Sequence, residues 1–226
     1  MKILALECSA GPASAAVYED GQVISSRFTN VKMTHSQTLL PMVSEVIEQA
    51  SLTMKDIDAI AVSSGPGSFT GIRIGISAVK GLAAPRHLPC YGVSTLRVIA
   101  ENCRGFDGVI CPVMDARCNQ VYNALFKAEN GKITRLCEDR ALMIDELLEE
   151  LSKTDDRIIF VGDGAGLFEK FKSEKLLIAE EENRFQKAEG AAKAAEETEP
   201  VSPDKLMPFY LRLPQAEREL KAKRGE

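Results

Sequence analysis

The chain has 226 residues, 45% of them hydrophobic and 27% charged, and a formal net charge of −5. A chain of this length can bury a sizeable core, as one domain or as two small lobes. The excess of acidic residues disfavours a protein that binds nucleic acid by itself, and no apolar run reaches the ~18 residues that cross a bilayer. We therefore expect a cytoplasmic globular protein without membrane contact.

The first half of the chain predicts three strands, a helix, a fourth strand and a glycine-rich turn. The helix, over residues 35–50, carries apolar residues at helical intervals, and Thr34 and Gln37 at its start have capping-box spacing. The turn is SSGPGSFTGIRIG, residues 63–75. The four strands are KILALE, SAAVYED, QVISSRF and DAIAVSS.

The second half repeats this order. GVICPVMD predicts a strand ending on Asp115, QVYNALFKAENGKI a hairpin, DELLEELS a helix, and RIIFVGDGAG a strand that enters the glycines 162–166. The repeat places Glu7 and Asp115 at equivalent strand ends. We therefore predict an α/β protein with two similar lobes, each a mixed sheet flanked by helices, divided into residues 1–104 and 105–226. This is the organisation of the actin-like ATPase (ASKHA, ribonuclease H-like) fold, which by itself specifies no chemistry.

The C-terminal part of the second lobe has a different composition. Residues 179–199 are rich in Ala, Glu and Lys and predict an exposed helix or a helix with a loose end. Three prolines predict an extended or turn-rich segment over 201–215. The polar tail 215–226 resembles a helix that would fold only against another surface.

The glycine-rich turn has two interpretations. Backbone N–H groups at the start of a helix can hold an anion, and two carboxylates across a cleft could bind a metal-nucleotide through water. The alternative is a tight strand-to-helix turn that allows close packing. The turn is not a Walker A loop, because no lysine follows its last glycine. The candidate nucleotide or anion contacts are Glu7, Gly65, Gly67, Ser68, Thr70, Gly71 and Asp115.

The helix after the turn suggests a protein interface. Glycine inside a helix costs about 1 kcal/mol against alanine, so a strip of Gly75, Ala78 and Gly81 beside the apolar stripe indicates close approach by another helix. The alternative is that both strips pack within one lobe. With the helix at 35–50, the candidate interface residues are His35, Leu39, Met42, Val46, Arg73, Gly75, Ile76, Ala78, Val79 and Lys80.

Residues that could carry catalysis are few. The chain has two histidines, His35 and His87, and no pattern that joins a serine or cysteine nucleophile to a base. The six cysteines show no CxxC pair and no zinc spacing, so we expect mostly buried free thiols. We predict no catalytic residue and no metal site.

Six segments together resemble one family over nearly the whole chain. They are LALECSAG, THSQTLLPMV, SSGPGSFTGIRIG, MDARCNQVY, GDGAG and PFYLR. The combination resembles the TsaB family, also called YeaZ, and GPGSFTGIRIG is its most specific part.

The resemblance implies a role in making threonylcarbamoyladenosine at position 37 of tRNAs that read codons beginning with A. It implies a non-catalytic paralogue of the transferase subunit TsaD, which pairs with TsaD through the N-terminal lobe, while the ATPase TsaE joins the assembly. It also implies self-pairing when the chain is alone, contact with tRNA only through the complex, no tightly bound cofactor, and ATP or ADP at the interface with TsaD.

Two departures bear on this expectation. TsaD carries a metal-binding His-x-x-x-His on the helix that matches residues 35–50, where this chain has His35 and Leu39. The family often has Asp at the first strand end, where this chain has Glu7. The rival functions are an independent actin-like ATPase or kinase-like enzyme and, ranked last, a glycoprotease-like peptidase.

Overall fold

The N-terminal half builds a five-stranded sheet in the computed structural model, which describes residues 1–31 and 33–212. Its strands are β1 (Lys2–Glu7), β2 (Ala13–Glu19), β3 (Gln22–Thr29), β4 (Ala59–Gly65) and β5 (Cys90–Ser94). Their order is β3-β2-β1-β4-β5. The first three are antiparallel neighbours, and β1, β4 and β5 run parallel.

The second half builds a sheet of the same design. Its strands are β6 (Gly108–Arg117), β7 (Gln120–Asn123), β8 (Phe126–Glu129), β9 (Lys132–Arg135), β10 (Arg140–Met143), β11 (Ile158–Val161) and β12 (Leu176–Ile178). The order β10-β7-β6-β11-β12 repeats that of the first sheet, with antiparallel pairs on one side of β6 and parallel pairs on the other. The predicted duplication and the α/β fold with two similar sheets are confirmed.

Among the described residues, five α-helices pack on these sheets. They are α1 (His35–Gln49), α2 (Phe69–Ala83), α3 (Thr95–Ala100), α4 (Ile144–Ser152) and α5 (Ala188–Ala195). The first two cover one face of the N-terminal sheet, and α5 lies on its other face. The short helix α3 packs between α5 and the C-terminal sheet, whose far face is covered by α4. The core is therefore continuous from one lobe to the other.

Three local predictions need correction. The hairpin of the second half consists of β8 and β9, which lie between β7 and β10 in the chain. Asn130 and Gly131 form its turn, because they supply the positive φ angles that the turn requires. The strand β6 continues past Asp115, which pairs with Val121 of β7. Thr34 precedes α1 as predicted but makes no cap hydrogen bond to the backbone, because its hydroxyl donates to Gln37 Oε1 at 2.8 Å.

The predicted exposed helix in 179–199 is wrong. The helix α5 is enclosed between the N-terminal sheet and α3, and its alanines are buried. Small residues are required there, because a Cβ at Gly190 would lie 2.6 Å from the Val98 carbonyl oxygen. The charged residues Glu189 and Lys193 favour an exposed helix, but the alanines on the other face of α5 bury it against the N-terminal sheet.

The position of α5 bears on the predicted division of the chain. Among the described residues after 104, α5 packs on the N-terminal sheet and Val201 forms a β-bridge with Cys90 of β5. The boundary at residue 104 stays a prediction. The predicted C-terminal helix at 215–226 lies outside the described residues. Within residues 1–31 and 33–212, no helix combines the length and apolar composition that a bilayer crossing requires.

The predicted free thiols are mostly buried. Four of the six cysteines lie in the core, Cys137 is half-buried, and Cys118 is exposed at the β6–β7 turn. Burial raises the pKa of Cys8 and of Cys103 to about 12, so both stay protonated thiols at neutral pH.

The tight seat of α5 yields a stability prediction. We expect Gly190→Ala to lower the free energy of unfolding by about 1–3 kcal/mol, because the added methyl group meets the Val98 backbone, which cannot move alone. Denaturant unfolding followed by circular dichroism measures this change.

The matched control is Gly81→Ala in α2, where a Cβ meets no atom within 4 Å. Its helix propensity should raise stability by up to about 1 kcal/mol. If both substitutions raised the free energy of unfolding equally, the added methyl group at residue 190 would have room, and α5 would not be packed closely against Val98.

Candidate functional site

The glycine-rich turn is shaped by close backbone contacts. Gly67 has a positive φ, and a Cβ there would lie 2.3 Å from the Ser9 carbonyl oxygen, which also accepts a hydrogen bond from Ser68 N at 2.6 Å. Ser68 then caps α2 by accepting from Gly71 N at 3.2 Å. The glycines therefore bring the turn against the end of β1 and fix where α2 begins.

A cleft of about 610 Å³ lies between the lobes. One wall is the glycine-rich turn with the start of α2, and the opposite wall is the end of β6 with Asp115, Arg117 and Asp163. The third wall is the chain segment Phe209–Arg212, the PFYLR motif.

The cleft contains four of the seven predicted nucleotide or anion contacts. Gly67, Ser68, Thr70 and Asp115 line it. The other three do not reach it. Gly65 and Gly71 are buried, where a Cβ would lie 2.0 Å from the Phe209 carbonyl oxygen and 2.1 Å from the Cys8 carbonyl oxygen.

Glu7 is the third exception, because its carboxylate points into the protein. The side chain is 0% exposed. One oxygen accepts from the backbone N of Ser9 at 2.6 Å and from its hydroxyl at 2.5 Å, and the other accepts from the Ser63 hydroxyl. Burial raises the pKa of Glu7, although these three hydrogen bonds oppose that effect. The expectation that Glu7 faces the cleft is wrong.

Asp163 is a cleft residue that the sequence analysis did not single out, although it lies within the predicted glycine turn. Its side chain reaches solvent in the cleft, yet the surrounding protein removes enough hydration to raise its pKa to about 6. The nearby charge of Asp115 raises this pKa further. The two carboxylates thus share one wall, and their mutual repulsion favours a cation or a proton between them.

A second concavity, of about 470 Å³, lies on the N-terminal lobe between α1 and α2, and we call it the groove. It is lined by His35, Ser36, Leu39, Leu40, Phe69, Thr70, Arg73, Ile74, Ser77 and Ala78. Phe69 and Thr70 line both the groove and the cleft.

The ten predicted interface residues lie in three different places in the structure. His35, Leu39, Arg73 and Ala78 line the groove, although Leu39 is only 1% exposed. Lys80 lies outside the groove, where its ammonium donates to the Asp204 carbonyl at 3.1 Å. Five residues belong to the core between the helices and the sheet, namely Met42, Val46, Gly75, Ile76 and Val79.

The prediction of these five as interface residues is wrong because an amphipathic helix turns its most apolar stripe toward its own sheet. A Cβ at Gly75 would lie 2.9 Å from Cys8 Sγ, so this glycine allows α2 to approach the sheet and does not face a partner. The interface prediction missed six residues of the groove, namely Ser36, Leu40, Phe69, Thr70, Ile74 and Ser77. The apolar Leu40 next to Pro41 was the available signal in the sequence.

The segment Met207–Arg212, which we call the strap, ties the two concavities together. Phe209 N donates to the Ser64 carbonyl at 2.7 Å, and Arg212 donates to the Ala116 carbonyl of β6 at 2.9 Å. Between them, Tyr210 stacks on Phe69, with ring centroids 4.8 Å apart. The predicted extended segment is confirmed over its described part, residues 201–212.

Comparison with known proteins identifies the family. Residues 22–210 match the family described as "TsaD: tRNA N6-adenosine threonylcarbamoyltransferase". The Bacillus subtilis protein named "tRNA threonylcarbamoyladenosine biosynthesis protein TsaB" is 33% identical, and the match covers 96% of each chain. The chain belongs to the TsaB family.

Solved structures agree with the fold of the TsaB family. A Pseudomonas aeruginosa protein described as similar to the peptidase YeaZ superposes with a TM-score of 0.81 at 26% identity, over 93% of this chain and 99% of that one. Component A of the Acidaminococcus fermentans (R)-2-hydroxyglutaryl-CoA dehydratase superposes with a TM-score of 0.50 at 13% identity, over 87% of this chain and 98% of that one. At that identity the likeness concerns the fold alone, and it fits the predicted actin-like architecture.

The helix α1 differs from the metal-binding pattern expected of TsaD. His35 Nε2 donates to the Ala10 carbonyl at 2.7 Å, and the position four residues later holds the buried Leu39. Among the described residues, no group of three or more His, Cys, Asp or Glu side chains could hold a metal ion. In this TsaB-family chain, His35 therefore ties α1 to the loop after β1.

The enclosed Glu7 predicts a pH dependence of stability. Its folded pKa lies above the ordinary value of about 4.3, so the folded state binds more protons than the unfolded state as the pH rises above that value. The free energy of unfolding should therefore fall as the pH rises from the ordinary value toward the raised pKa of Glu7, and it should level off above that pKa. Glu7→Gln removes the titration and can keep the hydrogen bonds, because the Ser63 hydroxyl can rotate to accept from the amide.

Urea unfolding of both proteins between pH 4 and pH 8 tests this expectation. The variant should gain stability over the wild type as the pH rises. Glu48→Gln, at an exposed position on α1, should follow the wild-type curve. Parallel curves for Glu7→Gln and the wild type would show that burial does not control ionisation of Glu7.

Proposed function

We propose that this chain acts in tRNA threonylcarbamoyladenosine biosynthesis as the non-catalytic partner of TsaD. In this proposal, the groove between α1 and α2 receives the matching helices of TsaD, and TsaE joins the assembled pair. The tRNA is contacted through the complex, since an acidic chain with net charge −5 is poorly suited to bind it alone. ATP or ADP, when present, lies where the inter-lobe cleft meets the partner.

The groove is the observation that carries the pairing. Leu40 is 48% exposed, and Ile74 and Ala78 continue an apolar strip across to α2. Ser77 and Ala78 are small, so a partner helix can approach closely. A concave apolar surface with Arg73 as its exposed cation is typical of a protein interface.

The enclosed position of Glu7 supports a non-catalytic role. An acid at the end of the first strand could reach a metal-nucleotide in the cleft only if its oxygens faced the cleft, and here Ser9 and Ser63 occupy both oxygens. Leu39 stands where the TsaD pattern requires a histidine, and an apolar side chain cannot ligate a metal.

In the same proposal, the isolated chain pairs with itself through this groove. TsaD-like sequence features extend over residues 22–210, so each partner offers helices of similar shape. A surface that accepts a paralogue can also accept a second copy about a two-fold axis. Excess TsaD should therefore convert the homodimer into a heterodimer.

An independent ATPase is the second candidate, and the cleft is the observation that favours it. Thr70 and Ser68 stand at the start of α2, opposite Asp115 and Asp163, across a space of about 610 Å³. This candidate requires nucleotide binding and turnover by the isolated chain. The peptidase ranks last, because Nε2 of His35 already donates to the Ala10 carbonyl and the neighbouring residue Ser36 is exposed.

The pairing is tested with an arginine placed in the groove. Ala78→Arg should weaken binding of TsaD from the same organism by about 30-fold or more, because a desolvated charge costs at least the ~2 kcal/mol of a hot-spot contact. Size-exclusion chromatography with light scattering detects the complex, and isothermal titration calorimetry measures its affinity.

The matched control is Ala141→Arg, at an exposed position on β10 in the C-terminal sheet. It should bind TsaD as the wild type does. A heterodimer that forms equally well with both variants would move the interface away from the groove. ATP hydrolysis by the isolated wild-type chain, abolished by Asp163→Asn, would instead favour the enzyme.

A further inference from the structure

Two residues of the groove contact Tyr210 of the strap. Arg73 Nε donates to Tyr210 Oη at 2.8 Å, and the guanidinium lies 3.9 Å from the centre of the Phe69 ring. Phe69 in turn stacks on Tyr210. These three side chains form a small cluster in which Arg73 and Phe69 line the groove and Phe69 and Tyr210 line the cleft.

The strap has few other attachments beyond its firm start. Leu206 is 2% exposed in the N-terminal core, and Val201 exchanges two backbone hydrogen bonds with Cys90. From residue 207 onward, the described hydrogen bonds to the lobes are those of Phe209 with Ser64, of Arg212 with Ala116 and of Tyr210 with Arg73, and the Phe209 carbonyl packs against Gly65. Residues 207–212 are exposed or half-buried, so the strap opens at a lower free-energy cost than the core strands.

A molecule that fills the groove changes the surroundings of this cluster. It covers Arg73, which is exposed in the isolated chain, and excludes water from the hydrogen bond between Arg73 and Tyr210. A charge-assisted hydrogen bond strengthens when water is removed, provided that both groups stay paired. Docking in the groove should therefore hold the strap more firmly against the cleft.

We propose that the Arg73–Tyr210 contact couples the groove to the cleft, so that partner docking fixes the strap as the wall of the cleft. Tyr210 acts as a positioning residue for this wall. The coupling rests on the proposed function, because it takes the TsaD-type partner as the occupant of the groove. It is also reciprocal: a strap already fixed presents Arg73 and Phe69 in their docking positions and favours binding.

Tyr210→Phe isolates the coupling. The substitution keeps the ring that stacks on Phe69 and removes only the hydroxyl that accepts from Arg73. Tyr122→Phe is the matched control, because Tyr122 lines the same cleft from β7 on the C-terminal lobe. Both substitutions delete one hydroxyl, and neither side chain belongs to the groove.

Hydrogen–deuterium exchange of the full chain, with and without TsaD from the same organism, tests the proposal. In the wild type and in Tyr122→Phe, TsaD should slow exchange at the amides of Phe209–Arg212 by about fivefold or more. In Tyr210→Phe this slowing should be lost, and the affinity for TsaD measured by calorimetry should fall by about fivefold to tenfold.

Each other outcome has a definite meaning. TsaD binding without any change in strap exchange would overturn the coupling and leave the proposed function standing. Slowed exchange that persists in Tyr210→Phe would show that the partner covers the strap directly, which also overturns the role of Tyr210. Failure of the wild-type chain to bind TsaD would remove the proposed function and the coupling with it.

Discussion

The close approach of three backbone segments at the end of β4 sets the geometry of the whole functional region. The carbonyl oxygens of Ser9 and Phe209 lie where side chains of residues 67 and 65 would otherwise stand. This contact fixes the start of α2 against β1 and brings the strap over the turn. The groove on one side of α2 and the cleft on the other take their shapes from it. A turn that looks suited to holding phosphate is therefore first a packing device.

The two lobes share a design but use their strand-end acids differently. In the N-terminal lobe Glu7 is enclosed by serines, whereas in the C-terminal lobe Asp115 and Asp163 remain in the cleft. The acids therefore act from one wall alone. The proposed non-catalytic role rests in part on this enclosed position of Glu7.

The element order was predictable because strand and helix periods are local properties of a sequence. The apolar run KILALE, the helix at 35–50 and the repeated glycine turns were sufficient to predict both sheets, whereas the family was predicted from the resemblance of six motifs. The groove was predicted only in part. Apolar spacing marks the stripe of a helix that is buried against its own sheet. Val46 and Val79 belong to that stripe, although they were predicted as interface residues, whereas Leu40 and Ile74 line the groove. Which apolar residues remain outside depends on what else covers the helix.

The sequence by itself determined the fold class, the duplication and the weakness of the catalytic inventory, since these follow from residue types and spacing, and its motifs indicated the family by resemblance. Tertiary structure alone decided that Glu7 turns inward, that α5 returns to the N-terminal sheet, and that Tyr210 meets Arg73. Each of these depends on a contact between segments far apart in the chain, which for Glu7 is the hydrogen bond from the Ser63 hydroxyl. Such contacts depend on the shape left between packed elements, and no local pattern of residues encodes that shape.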